Sequence, residues 1–151
     1  TISVGSYWDS DTGLRNDDVL SSFSSFRNPT DPNTGRTYEK PDVTGMGGES
    51  DGWGCHGVET TGVGNGADAS TCGTSFAAPD VSALTALIVG KNSALRRKAE
   101  GIKAIVMAGA THNIADGLNY MKCPTSPVAN DCRDGAGAID AYQTIQNIVT
   151  R

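Results

Sequence analysis

The chain has 151 residues and a formal net charge of −5. This length is typical of one modest domain that buries its own core, and we expect no internal boundary within residues 1–151. The acidic balance, without a stripe of Lys and Arg, disfavours nucleic acid and anionic membrane surfaces as partners, and the longest apolar stretch, near residues 83–89, is too short to span a bilayer.

Short strands separated by loops are predicted for the first half of the chain. An alternating strand begins at residues 1–5, and further strands are expected at 20–26 and 42–44, with a surface loop of turn-forming residues at 28–35 between them. Ten of the 19 glycines lie between Gly45 and Gly73. Such a concentration indicates a loop-rich segment.

Three helices are predicted for the second half of the chain. Apolar residues recur at helical spacing over residues 74–89, 97–108 and 138–149. The first of these segments combines small residues with an apolar stripe, which is typical of a buried helix.

Four cysteines form two pairs that are local in sequence, and none has the spacing of a zinc site. This pattern favours the disulfides Cys55–Cys72 and Cys123–Cys132, because each closes a short loop, and with them an exported protein. Four buried free thiols in a cytosolic protein are the alternative. No leader precedes Thr1, so we expect any targeting segment to lie upstream of it.

Residues 73–83 (GTSFAAPDVSA) place a turn of small residues directly before a predicted helix. Ser75 then lies where the main-chain N–H groups are unpaired and the helix dipole is positive. A serine in this position suits a nucleophile whose own N–H binds the developing oxyanion, and Gly73 leaves room for a substrate. The alternative is an ordinary N-cap formed by Thr74 or Ser75.

The same eleven residues resemble the active-site serine signature of the subtilisin-like serine proteases, the subtilases. Three upstream segments resemble further family motifs in family order: residues 1–6 (TISVGS), 22–26 (SFSSF) and 40–43 (KPDV). Downstream, residues 102–110 and 135–141 resemble the closing helices and the Gly-x-Gly turn. The chain departs from the pattern at residues 45–47 (GMG), where Ala-Pro-Gly is usual, and at Asp80, where His often follows the proline.

This resemblance implies an α/β fold, namely the C-terminal part of a doubly wound, mostly parallel-sheet domain. It carries over Ser75 as the nucleophile, with Gly73 and Thr74 as substrate contacts. The triad His and Asp and the side-chain oxyanion donor are expected in an upstream half of the same catalytic domain, which is the expected partner. The implied function is a secreted serine endopeptidase acting on polypeptides, with the chain inactive and marginally stable alone.

A miniature triad within the chain is a further alternative, because Asp11 and His56 stand before Ser75 in sequences that imitate family motifs. We disfavour it, since only 18 residues lie between His56 and Ser75 and Asp11 does not end an apolar strand. His112 is expected to be a surface or helix-end histidine.

Subtilases often bind calcium, and the acidic residues here invite the same question. No ligand loop with calcium spacing occurs around Asp17, Asp18, Asp116, Asp131 or Asp134, so we assign no metal and no cofactor. Two functions without catalysis compete with the protease: a binding or assembly fragment that keeps the signature for helix packing, and a disulfide-stapled extracellular adhesion module, which would give Ser75 no role.

Overall fold

The computed structural model describes residues 1–10, 12–14, 17–26, 29–38, 40–64, 68–111, 114 and 133–149. Its strands are β1 (Val4–Trp8), β2 (Val19–Leu20), β3 (Val43–Met46), β4 (Glu49–Ser50), β5 (Cys55–His56), β6 (Val58–Thr61) and β7 (Asp68–Thr71). Its helices are α1 (Thr74–Lys91) and α2 (Ala99–Ala108), joined by a 3₁₀ turn at Ser93–Leu95, and a π-helical segment at Gln143–Ile148. Strands thus precede helices, and the content is mixed α/β.

A three-stranded sheet with the order β2-β1-β3 carries α1. β1 and β3 pair in parallel, whereas β1 and β2 are antiparallel because a short loop returns the chain directly. The other strands form two antiparallel pairs, β4–β5 and β6–β7. The described sheets therefore contain one parallel pair and three antiparallel pairs, and the mostly parallel, doubly wound arrangement of the whole domain stays a prediction.

The predicted strand at residues 20–26 is much shorter than expected. Only Val19–Leu20 forms a strand with β1, although Ser21 N still donates to Ser6 O at 3.0 Å, and the serines add side-chain hydrogen bonds. Ser24 Oγ accepts a hydrogen bond from Ser6 N at 2.9 Å, and Ser21 Oγ donates one to Gly48 O at 2.5 Å. These buried hydroxyls supplement the main-chain contact of Ser21, and the segment continues from there without a strand.

The other strand predictions need smaller corrections. The first strand lies at Val4–Trp8 rather than at residues 1–5, and the third at Val43–Met46 rather than at 42–44. The glycine-rich segment contains the pairs β4–β5 and β6–β7 as well as loops. Of the predicted loop at 28–35, residues 29–35 form a turn at the surface, in which Gly35 N donates to Asp31 O at 2.8 Å.

The two central helices are confirmed with small shifts, because α1 extends to Lys91 and α2 begins at Ala99. The buried face of α1 packs on β1 and β3, and the core contains Val43, Val81, Leu84, Ile88 and Val106. No helix in the described ranges combines the length and apolarity needed to cross a membrane.

The third predicted helix begins later than expected. Ala138 N donates to Thr111 O and Ile139 N donates to Thr44 O, both at 2.9 Å, so this stretch forms bridges to the sheet region. Helical structure starts only after Asp140, whose carboxylate accepts a hydrogen bond from Gln143 N at 2.8 Å. The prediction of a helix over 138–149 is therefore wrong for its first residues.

Candidate functional site

Ser75 lies in the first turn of α1, and its side chain is exposed. The residue before the helix is Gly73, whose φ of 147° lies in a region that disfavours residues with a Cβ. Gly73 O accepts a hydrogen bond from Phe76 N at 3.0 Å, which closes the turn around Thr74 and Ser75. The sequence thus turns sharply at a glycine and presents the serine at the helix start.

Within the described structure, neither the hydroxyl nor the main-chain N–H of Ser75 has a hydrogen-bond partner. The first turn of α1 contains no acidic side chain, so the positive end of the helix dipole is not neutralised there. By contrast, Ser82 on the same helix donates its hydroxyl hydrogen bond to Ala78 O at 3.0 Å. Ser75 therefore offers a free hydroxyl beside a free donor.

The turn is held against the end of β3 by glycines. Gly73 N donates a hydrogen bond to Gly47 O at 2.7 Å. A Cβ on Gly47 would collide with the Ser6 hydroxyl and lie 2.7 Å from Gly73 O, and one on Gly45 would lie 2.8 Å from Ala77 O. The close approach of β3 to α1 thus accounts for glycine at position 47, which agrees with Ala-Pro-Gly, and at position 45, where the sequence departs from it.

A disulfide joins Cys55 in β5 to Cys72, which immediately precedes Gly73. The Cα atoms of the two cysteines are 5.1 Å apart, and 17 positions separate them in sequence. This pairing confirms the prediction for Cys55 and Cys72. The predicted partners Cys123 and Cys132 lie outside the described residues.

His56 is exposed, and its Nε2 lies 3.0 Å from Asp51 Oδ2. Asp51 also accepts hydrogen bonds from the main-chain N–H groups of Trp53 and Gly54. The Trp53 N–H and the His56 ring together hold the pKa of Asp51 below its ordinary value. The carboxylate therefore fixes the tip of the loop between β4 and β5.

Within the described ranges, no hydrogen bond joins His56 to Ser75. The other elements of the miniature triad and of the histidine prediction, Asp11 and His112, lie outside the described residues. The described contacts thus give His56 a carboxylate partner and give Ser75 no base.

No group of three His, Cys, Asp or Glu side chains in the described ranges is arranged to hold a metal ion. Asp17 instead accepts a hydrogen bond from the Thr12 hydroxyl at 2.8 Å. Asp18 and Asp134 are buried, and Asp116 and Asp131 lie outside the described residues. In α1, partial desolvation raises the pKa of Asp80 above its ordinary value.

Two features of the site were not assigned a role from the sequence: the Gly47 carbonyl that receives the Gly73 N–H, and the placement of the disulfide at the turn. Because Cys72 stands directly before the serine signature, the sequence already indicated that a disulfide would lie at this turn. No sequence pattern indicated the Gly47 contact, because it joins segments 26 residues apart that only the packing of β3 on α1 brings together.

Comparisons with known proteins identify a similar fold and the family of the chain. A solved structure of the prenylagaramide maturation protease PagA is similar, with a TM-score of 0.54 and 20% identity over 96% of this chain. At that identity the likeness shows the fold, and the chain spans 41% of that structure's length. No curated protein matches. The model of the subtilase family matches residues 1–130, and the chain belongs to that family.

Proposed function

We propose that this chain supplies the nucleophile of a subtilisin-like serine endopeptidase, with Ser75 in that role. The observation that carries the proposal is the free, exposed hydroxyl of Ser75 beside its own unpaired N–H at the start of α1. A hydroxyl used for helix capping or for packing would have a partner, as the Ser82 hydroxyl has.

In this mechanism Ser75 Oγ attacks the carbonyl carbon of a peptide bond and passes its proton to a histidine. The Ser75 N–H donates a hydrogen bond to the oxyanion of the tetrahedral intermediate. Collapse of the intermediate releases the amine, which takes up the proton from the histidine, and water then hydrolyses the acyl-enzyme. Gly73 and Thr74 line the approach, and the missing side chain of Gly73 lets the substrate main chain come close.

The histidine and aspartate of this triad come, in our proposal, from an upstream half of the same catalytic domain. Of the two histidines in the chain, His56 is engaged with Asp51 and His112 follows Ser75 in sequence. The family order of Asp, His and Ser requires both partners before the serine. A chain that spans 41% of a solved family-like structure is consistent with such a division.

Peptide hydrolysis by the complete catalytic domain tests the proposal. We expect Ser75→Ala to abolish hydrolysis and Ser82→Ala, an exposed serine on the same helix, to leave it unchanged. In subtilisin, loss of the serine lowers turnover by about 2 × 10⁶-fold. Activity that survives in the folded Ser75→Ala domain would refute the assignment.

A binding or assembly fragment without catalysis is the second candidate, and one observation favours it. Leu87 on α1 is 57% exposed and lies beside the buried stripe that contains Leu84 and Ile88. An apolar side chain in this position suits a protein partner. This candidate predicts that the complete domain hydrolyses no peptide, so the same assay separates the two.

We further propose that the protein is secreted and acts on polypeptides. The Cys55–Cys72 disulfide supports export, because disulfides persist in oxidising compartments. Metal-free peptide hydrolysis is the expected behaviour of this site, since Ser75 needs a base and oxyanion donors rather than a Lewis acid.

A further inference from the structure

Cys72, one partner of the Cys55–Cys72 disulfide, lies three positions before the proposed nucleophile, Ser75. Cys72 follows β7, and Gly73 and Thr74 alone separate it from Ser75. Both cysteines are only partly buried. A small thiol reagent therefore has access to this disulfide, which lies directly before the turn at residues 73–76 (the serine turn).

On the side of β5, the segment is also held by the β6–β7 ladder, in which Thr71 pairs with Val58. Gly73 N bonds to Gly47 O, which fixes the turn to the end of β3. β5 itself has two residues and pairs with β4 at two positions, which is marginal for a β-ladder. The disulfide is thus the covalent connection between the β4–β5 hairpin and the main chain that leads into α1.

The fold does not depend on this connection in the same way. The core residues Val43, Val81 and Ile88 pack without either cysteine, and β6 and β7 keep four residue pairs of their own. Loss of the cross-link therefore frees Cys72 from Cys55 between the Thr71–Val58 pair and Ser75, while the sheet and α1 keep their packing.

We propose that Cys55 and Cys72 are positioning residues whose disulfide makes the peptidase thiol-sensitive; this inference rests on the proposed function. A dithiol reductant attacks one sulfur, forms a mixed disulfide, and then closes into its own cyclic disulfide. The reductant loses two electrons and two protons, and Cys55 and Cys72 become free thiols. Because a displacement of about 1 Å can cost about 100-fold in rate, the released turn lowers turnover.

The test measures kcat and KM for peptide hydrolysis by the complete catalytic domain before and after treatment with dithiothreitol. We expect kcat to fall about 10- to 100-fold while KM changes less than about twofold, with the circular dichroism spectrum unchanged at the assay temperature. The double variant Cys55→Ser/Cys72→Ser starts at the lowered kcat and does not respond to the dithiol. The matched control, Cys123→Ser/Cys132→Ser, keeps the full response.

Alkylation and mass spectrometry establish which cysteines are reduced. An unchanged kcat with Cys55 and Cys72 reduced would overturn the inference, and so would a loss of kcat that follows unfolding. If the double variant does not fold, titration of the native domain with the dithiol shows whether kcat falls as Cys55 and Cys72 are reduced, which tests the same inference. Absent hydrolysis in the oxidised domain would overturn the proposed function itself, whereas equal hydrolysis in both states would overturn only the positioning role.

Discussion

Gly47 shows how closely single residues determine the position of Ser75. Its carbonyl accepts the Gly73 N–H at 2.7 Å, and its own N–H donates to Tyr7 O at 2.9 Å. Gly47 therefore links β1 to the serine turn through two main-chain hydrogen bonds. The space for a side chain at this point is filled by the Ser6 hydroxyl and Gly73 O.

We expect Gly47→Ala in the complete domain to lower both stability and activity. The added methyl group must displace Ser6 or the main chain of Gly73, and overpacking of this kind costs about 1–3 kcal/mol. A shift of the Gly73 main chain also displaces Ser75, two positions later. The kcat for peptide hydrolysis should therefore fall by more than the loss of folding stability accounts for. Denaturant unfolding and steady-state kinetics measure the two effects.

Gly90→Ala is the matched control. A Cβ on Gly90, near the end of α1, meets no other atom, and alanine there should raise helix stability by about 0.5–1 kcal/mol. A Gly47→Ala domain with wild-type kcat would contradict the positioning of Ser75 by Gly47.

At the scale of elements, a buried carboxylate joins α2 to the start of β3. Asp42 is 4% exposed, and its Oδ1 lies 2.7 Å from Lys103 Nζ on α2 and 2.5 Å from Lys40 Nζ. Its Oδ2 accepts a hydrogen bond from Ser3 N at 2.7 Å. Burial by itself raises the pKa of Asp42, but these hydrogen bonds outweigh it, so that the pKa lies below its ordinary value of 3.8.

The sign of the pH dependence follows from this shift. A lowered pKa in the folded state means that the stabilisation is complete above pH 3.8 and is lost as the pH falls through the lower, folded value. We expect Asp42→Asn to reduce the free energy of unfolding by about 1.5–3 kcal/mol at neutral pH and to weaken its decline in acid. Urea unfolding between neutral pH and about pH 3 measures both changes.

Glu59→Gln provides the control, because Glu59 lies exposed on β6 without a partner in the described structure. It should leave the unfolding free energy within about 0.5 kcal/mol of wild type. If the unfolding free energy of the Asp42→Asn domain declined in acid as steeply as that of wild type, the role of the Asp42 ion pairs with Lys40 and Lys103 would be contradicted.

Helical elements were the most predictable from sequence, and α1 shows why. Ala77, Val81, Leu84 and Ile88 are spaced by four, three and four positions, and all are buried as that spacing requires. Leu87 is an apolar residue of the same helix but is exposed, because a residue beside the stripe is compatible with either burial or exposure. Spacing predicts which side of a helix packs but not how wide the packed side is.

Strand predictions failed where main-chain pairing stopped early. Leu20 to Phe26 was predicted as a strand, yet after Leu20 only Ser21 N continues the main-chain contact with β1, and the Ser21 and Ser24 hydroxyls bond to Gly48 O and Ser6 N. β6 was missed although its Val-Glu-Thr-Thr sequence alternates partly buried and exposed residues. The surrounding glycines masked that signal. Pairing partners distant in sequence decide such cases, and one sequence does not contain them.

At the scale of the whole molecule, Leu87 is an exposed apolar residue whose environment should differ between the isolated chain and the complete domain. It is 57% exposed here, and we propose that the upstream half covers it. Leu87→Ala should change the stability of the isolated chain by less than about 0.5 kcal/mol and that of the complete domain by about 1.5–3 kcal/mol. Equal effects in the two would contradict docking on this side of α1.

The division of the catalytic groups that we propose, between this chain and an upstream half, also accounts for the expected inactivity of the chain alone. In subtilisin, loss of the histidine alone lowers turnover by about 2 × 10⁶-fold. Without a base, Ser75 reacts as an ordinary hydroxyl, even though its N–H and the helix dipole are in place.

Mapping of a fluorophosphonate adduct by mass spectrometry tests the central assignment most directly. The reagent is applied to the isolated chain, to the complete catalytic domain and to its Ser75→Ala variant, and the modified residue is located by peptide sequencing. The account predicts an adduct on Ser75 in the complete domain and none in the other two samples. An adduct on another residue of the complete domain, or labelling of Ser75 in the isolated chain that disappears with His56→Ala, would contradict it.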